Sequence, residues 1–365
     1  MVLEVLLGIL IGPHALGLVP FDGFVATMFT FGMGATLFMA GVELEFDAIK
    51  GRPLSLAVVG WSISVLLGIA IVGLLHVIPQ VHAPLMVTLA LCTTGLGVLL
   101  PVFRDSGQLG TAFGRLITAA ATLGEVGPIV AMSLLLSQGY STWQETGFLL
   151  VFLAILATAI AVGLGARPPR VLAFLGRQMH ASTQLPVRLS LLILAALFVL
   201  SEEFGFEGIF GAFAAGMIVG QATGGEGGKA LRAKLDAVCF GWFYPFFFVG
   251  TGVKFDVAAL TRDLTTMLLV PTFVALLLVV RGGPVFLYRN AIARAQLVPF
   301  ALSSAVPSLS VVVVITEIGM RAKTMSPDVA AALIGAALLA VLLFPPIAGV
   351  LLQRTTAPVS SAGTP

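Results

Sequence analysis

The amino-acid sequence predicts an all-α polytopic membrane protein of about twelve transmembrane helices, built as inverted repeats with two discontinuous helices. Three observations carry this prediction. The 365 residues are 58% apolar and only 10% charged, with a mean hydropathy of +1.08, whereas a soluble domain carries about 25% charged residues. Basic residues concentrate in alternate loops between the apolar stretches. Gly, Pro and Ser interrupt two of those stretches at corresponding places in the two halves of the chain.

Apolar stretches of membrane-crossing length fall at about residues 2–19, 24–44, 54–78, 84–103, 111–137, 146–166, 186–201, 205–221, 237–253, 264–288, 296–319 and 328–352. They make residues 1–353 one transmembrane domain. Residues 354–365, rich in Ser, Thr, Pro and Ala, read as a disordered tail. The chain starts almost inside its first apolar stretch, without a basic leader or a small-residue cleavage site, so a signal peptide is not expected there.

Charge placement tests the span order independently. The loops after the second, fourth, sixth and eighth stretches, with the first turns of the stretches that follow, hold Lys50, Arg52, Arg104, Arg115, Arg167, Arg170, Arg177, Arg188, Lys229, Arg232 and Lys234. Those after the first, third, fifth and seventh hold no Lys or Arg. Continuing the alternation places 14 basic residues on one side and four (Lys254, Arg262, Arg321 and Lys323) on the other, with Arg281 left inside the tenth stretch. The positive-inside rule then puts both ends of this chain in the cytoplasm, with the spans in the cell membrane.

Several function classes lack support. Net charge is only +2, and no basic run alternates with aromatic residues, so nucleic acid is not an expected partner. Thr223–Ala230 imitates a phosphate loop but has Thr223 where Gly is required and Ala230 where Ser or Thr is required, so no nucleotide site is expected. Cys92 and Cys239 lie in apolar stretches without metal-ligand spacing, and the four histidines are scattered. No cofactor, resident metal or catalytic triad is indicated, and the chain does not read as an enzyme.

Ionisable groups deep in a bilayer cost about 2.5–3.5 kcal/mol to insert and are candidates for function. Glu125 falls near the middle of the fifth stretch and Arg281 within the tenth, whereas most other acids lie near span ends. The fourth stretch contains Cys92-Thr93-Thr94-Gly95-Leu96-Gly97, and the eleventh contains Ser303-Ser304-Ala305-Val306-Pro307-Ser308. Pro307 removes a helix hydrogen bond, Gly95 and Gly97 weaken the other helix, and unwound backbone survives in hydrocarbon only where it lines a polar cavity. Each interruption lies in the middle member of a three-span group. By the charge alternation the two groups insert in opposite directions, which points to a transporter with a midplane site. Glu125 is expected to bind a cation or a proton, with Thr93, Thr94 and broken-helix carbonyls supplying further oxygen atoms. Arg281, which does not release its proton, is expected to offset negative half-helix ends or to pair with Glu125.

Gly8-Ile9-Leu10-Ile11-Gly12-Pro13-His14-Ala15-Leu16-Gly17-Leu18, Phe38-Met39-Ala40-Gly41-Val42-Glu43-Leu44 and Tyr244-Pro245-Phe246-Phe247-Phe248-Val249-Gly250-Thr251-Gly252 occur in that order. Together they resemble the signature segments of the second monovalent cation:proton antiporter family, which includes Kef-type potassium systems and many sodium/hydrogen exchangers. The resemblance implies a crossed-helix core beside a homodimer-forming panel, an ion-binding carboxylate at Glu125 and its basic partner at Arg281. The family usually has Asp where Glu125 stands, often preceded by Asp, Asn or Gln where Gly124 stands, and often Lys where Arg281 stands. Its usual extra N-terminal span and the nucleotide-binding domain of the Kef proteins are absent from this sequence.

The function that follows is exchange of Na⁺ or K⁺ for protons by alternating access, in which a single carboxylate carries either species. One titrating acid suggests one proton per cation, hence electroneutral exchange. Two other readings stand beside it: a sodium-coupled organic anion symporter of the same architecture, and a non-transporting membrane sensor or assembly subunit.

Overall fold

The computed structural model describes residues 1–43, 51–75, 84–136, 184–203, 207–222, 226–257 and 264–356, which are helical with short connections and contain no strand. The helices are α1 (Val2–Ile11), α2 (Gly23–Val42), α3 (Arg52–Leu75), α4 (Pro84–Leu91), α5 (Leu96–Asp105), α6 (Ala112–Leu136), α7 (Leu185–Glu203), α8 (Gly208–Ala222), α9 (Glu226–Val238), α10 (Tyr244–Lys254), α11 (Leu264–Leu277), α12 (Leu297–Ser304), α13 (Leu309–Arg321) and α14 (Pro327–Thr356). Eight helical stretches among the described residues are long and apolar enough to cross a membrane, and three shorter apolar helices cover 2–11, 84–100 and 208–220. The sixth expected span, at 146–166, and most of the tail lie outside the described residues, so the total of twelve is not established.

Local chemistry accounts for where helices stop. The first expected span, 2–19, ends as a helix at Ile11. Gly12, which precedes Pro13, is extended (φ −70°, ψ 170°), because the proline ring disfavours helical geometry in the residue before it. The ninth span starts earlier than expected: α9 runs through a π-helical turn at Cys239–Phe243 into α10. The tenth changes character along its length. After α11 come a π-helical turn at Leu278–Gly282 and a 3₁₀ segment at Gly283–Tyr288. A π turn widens the helix and turns its side chains out of register; here the residue so displaced is Arg281.

The helices gather into two bundles. In one, α1 packs on α10, α10 on α2, α2 on α8 and α8 on α7. Glycine makes these contacts intimate. A Cβ at Gly8 would lie 2.1 Å from the Val249 carbonyl oxygen, and one at Gly216 would lie 1.9 Å from that of Phe38. Small residues let backbones meet where lipid offers no hydrophobic drive for association. The other bundle contains α3, α4, α5 and α6 together with α11, α12, α13 and α14, joined through α3 against α6, and α14 against α11, α12 and α13. The main helix-to-helix contact between the bundles is α2 against α13.

Candidate ion-binding site

Both predicted interruptions are present, and the two broken helices cross. Residues 92–95 separate α4 from α5, and 305–308 separate α12 from α13. At the crossing the Gly95 amide donates to the Val306 carbonyl (2.9 Å), and the Thr94 hydroxyl donates to the Ser304 carbonyl (2.6 Å). The Thr94 amide donates to the Gly124 carbonyl of α6 (3.0 Å). Backbone groups released by unwinding thus find partners across the crossing, as hydrocarbon demands. Gly95 is required by proximity, since a Cβ there would stand 2.8 Å from the Pro307 carbonyl oxygen.

Glu125 is 7% exposed and lies against the starts of α5 and α13. Ser308, the N-cap of α13, leaves its helix amides uncapped and donates its hydroxyl to Glu125 Oε1 (3.2 Å). The start of α5 borders the same cavity as Glu125, through Gly95 and Gly97. Helix N-termini carry partial positive charge, so the acid occupies the electrostatically favourable ends of two half-helices.

Arg281 takes the complementary place. It is 4% exposed; its Nε donates to Thr94 Oγ1 (2.8 Å), Nη2 to the Ala120 carbonyl (2.9 Å) and Nη1 to Ser64 Oγ (3.4 Å). Through Thr94 it is tied to the Ser304 carbonyl at the end of α12. No ion pair joins Arg281 to Glu125 among the described residues; its hydrogen-bond partners there are Thr94, Ser64 and the Ala120 carbonyl. Gly124 makes room for this guanidinium. A Cβ there would meet Thr94 Oγ1 and Arg281 Nη2, both at 2.7 Å.

The remaining expected site residues divide around the crossing. The Thr93 hydroxyl donates to Ala90 O (2.8 Å). Ser303 Oγ is buried with no hydrogen-bond partner among the described residues, whereas Ser304 and Pro307 meet the other broken helix through their carbonyls. A cavity of about 30 Å³ reaches Glu125 from the end of the molecule that carries Glu43. Its lining includes Thr36, Glu43 and Tyr244 of the first bundle and Gly95, Glu125 and Ser308 of the second, and not Thr93 or Thr94. The sequence reading missed Glu43, Ser308 and Tyr244. Ser308 had a legible signal, being the first residue after the proline break and a favoured N-cap type.

An acid and a base thus lie at opposite electrostatic ends of crossed, interrupted helices, with the acid in a cavity between two bundles. The chain belongs to the sodium/hydrogen exchanger family: the model described as "Sodium/hydrogen exchanger, transmembrane" matches residues 1–354. Among relatives, YjbQ of Bacillus subtilis, provisionally named as an Na⁺/H⁺ antiporter, is 26% identical over 363 residues, 94% of this chain and 57% of its own length. The Na⁺/H⁺-K⁺ antiporter GerN of Bacillus cereus is 26% identical over 254 residues, covering 69% of this chain and 64% of GerN. This chain therefore spans less than two thirds of the length of these relatives. The solved structure of the sodium proton antiporter MjNhaP1 from Methanocaldococcus jannaschii shares the fold, with a TM-score of 0.65 at 19% identity over 97% of this chain and 91% of that one.

Proposed function

We propose that this chain exchanges a monovalent cation, Na⁺ or K⁺, for protons across a membrane by alternating access. The observation that carries the reading is Glu125, held by Ser308 beside the start of α5 in a cavity shared by two bundles. Burial penalises a bare carboxylate, so Glu125 crosses either protonated or paired with a cation, and the two species compete for the same oxygen atoms. Ser308 Oγ, 3.2 Å from Glu125 Oε1, is a further oxygen ligand. Thr94 is committed to Arg281 and the Ser304 carbonyl, which favours Ser308 over Thr93 and Thr94 in that role. Arg281 stays charged and holds the crossing together by offsetting negative helix ends.

The names of the relatives support Na⁺ and K⁺ as cargo, and the cavity size supports an ion over an organic anion. A volume of about 30 Å³ is far below the roughly 300–1,000 Å³ of small-molecule sites. The positive-inside bias favours the Glu43 end as the cytoplasmic one, both chain ends on that side, and a cell-membrane location. A homodimer formed through the first bundle is part of the same reading, to be checked by crosslinking in the bilayer. The deciding experiment is proton flux in sealed vesicles on addition of Na⁺, K⁺ or Li⁺ in turn. Cation-evoked proton movement that vanishes in Glu125→Gln supports antiport; equal movement in that variant rejects Glu125 as the carrier.

A further inference from the structure

The end of the molecule opposite Glu43 is closed by charges that bridge the two bundles. Glu317, near the end of α13, has a side chain only 8% exposed and bonds to Lys254, the last residue of α10. It also accepts from Arg321 Nε on its own helix (3.0 Å), and Arg321 reaches Glu207, at the start of α8, at 3.8 Å. Lys254 and Glu207 belong to the first bundle, Glu317 and Arg321 to the second. Lys254 is seated from its own side, with its ammonium 4.9 Å from the Phe21 ring centroid and 5.3 Å from that of Phe29. Beneath these charges lies a separate cavity of about 50 Å³, lined among others by Thr251, Val313, Thr316 and Glu317. The charges sit over the seam between the bundles.

We propose that Lys254–Glu317, reinforced by Arg321–Glu207, is an ionic latch that holds the two bundles together at this end while the Glu43 end admits ions. The proposal rests on the antiport reading for its purpose, but its geometry is independent of that reading. A buried carboxylate deprived of one partner is strongly destabilised. Opening this end must therefore separate Lys254 from Glu317 or give each a new partner, and the latch weights the balance between the two access states. Salt will weaken the exposed Arg321–Glu207 limb more than the buried one.

The test uses the full chain in vesicles, with Thr316→Cys as a reporter in the cavity under the latch. A membrane-impermeant thiol reagent is applied from the Lys254 side, and Cys92 and Cys239, both buried, set the background in the protein without the reporter. Slow labelling is expected in the parent. Lys254→Gln should accelerate it by about tenfold or more, since the lost partner was holding a buried charge. Lys254→Arg should keep it slow, and Glu207→Gln should give a smaller rise. Unchanged labelling in both Lys254→Gln and Glu207→Gln overturns the latch; if Lys254→Gln does not fold, unchanged labelling in Glu207→Gln alone does so. Failure of the antiport reading gives a different result: no cation-evoked proton flux in the parent, with the labelling differences intact.

Discussion

Glu125 and Arg281 belong to one crossing yet answer different demands, and substitutions should separate them. Glu125→Gln keeps the size of the side chain and its bond with Ser308, so the protein should fold, insert and lose cation-dependent proton flux to background. Glu125→Asp retracts the charge by about one methylene; a displacement on the order of 1 Å costs up to about a hundredfold in rate, so exchange should persist but slow down. Ser308→Ala removes a hydrogen bond to a charged group, a contribution of about 1.5–3 kcal/mol, and should raise the half-saturating cation concentration roughly tenfold or more. Arg281→Met should act on stability first, because it removes the buried guanidinium bonds to Thr94 Oγ1 and the Ala120 carbonyl. Each hydrogen bond to a charged group contributes about 1.5–3 kcal/mol, so the loss should be read as an earlier thermal unfolding in detergent. That Arg281 meets Thr94, 187 positions away, was not legible from sequence: nothing local to either residue encodes the π turn that displaces the guanidinium towards α4.

At the scale of elements, the breaks in the fourth and eleventh spans were legible because Gly95, Gly97 and Pro307 weaken helices within otherwise apolar runs. Loop charge carries the expectation that the two three-span groups insert in opposite directions. Glu43 was not, because it reads as an ordinary acid at a span end, and only the packing of α2 beside α13 brings it to the cavity of Glu125. The Arg321–Glu207 contact yields a prediction at this scale. Burial raises the pKa of Glu207 above the ordinary carboxylate value, Arg321 of α13 opposes the shift, and Glu202 of α7 and Glu317 of α13 add to it. A raised carboxylate pKa means that the charge is lost at milder acidity, so acidification dissolves this limb of the latch. Labelling of Thr316→Cys, divided at each pH by that of a fully exposed cysteine to remove the thiolate dependence, should rise as the Lys254 side is acidified. In Glu207→Gln that pH dependence should flatten. A profile that stays pH-sensitive in Glu207→Gln assigns the sensitivity to another group.

For the whole molecule, the glycine contacts in the first bundle have a mechanical consequence. Where Gly8 meets Val249 and Gly216 meets Phe38, backbone touches backbone, leaving no compressible side-chain layer between those helices. Such surfaces resist sliding, because any axial shift drives a carbonyl into a neighbouring chain. The α2–α13 boundary is different: it encloses cavities at both ends and is fastened by side chains that can extend and re-pair. Low friction is therefore concentrated in one plane, with a stiff plate on one side and the crossing beside Glu125 on the other. Wedging that plate open with Gly216→Ala should loosen it throughout, with faster amide exchange along α2 and α8. Cutting the latch should leave those amides protected and free only the movement between the bundles.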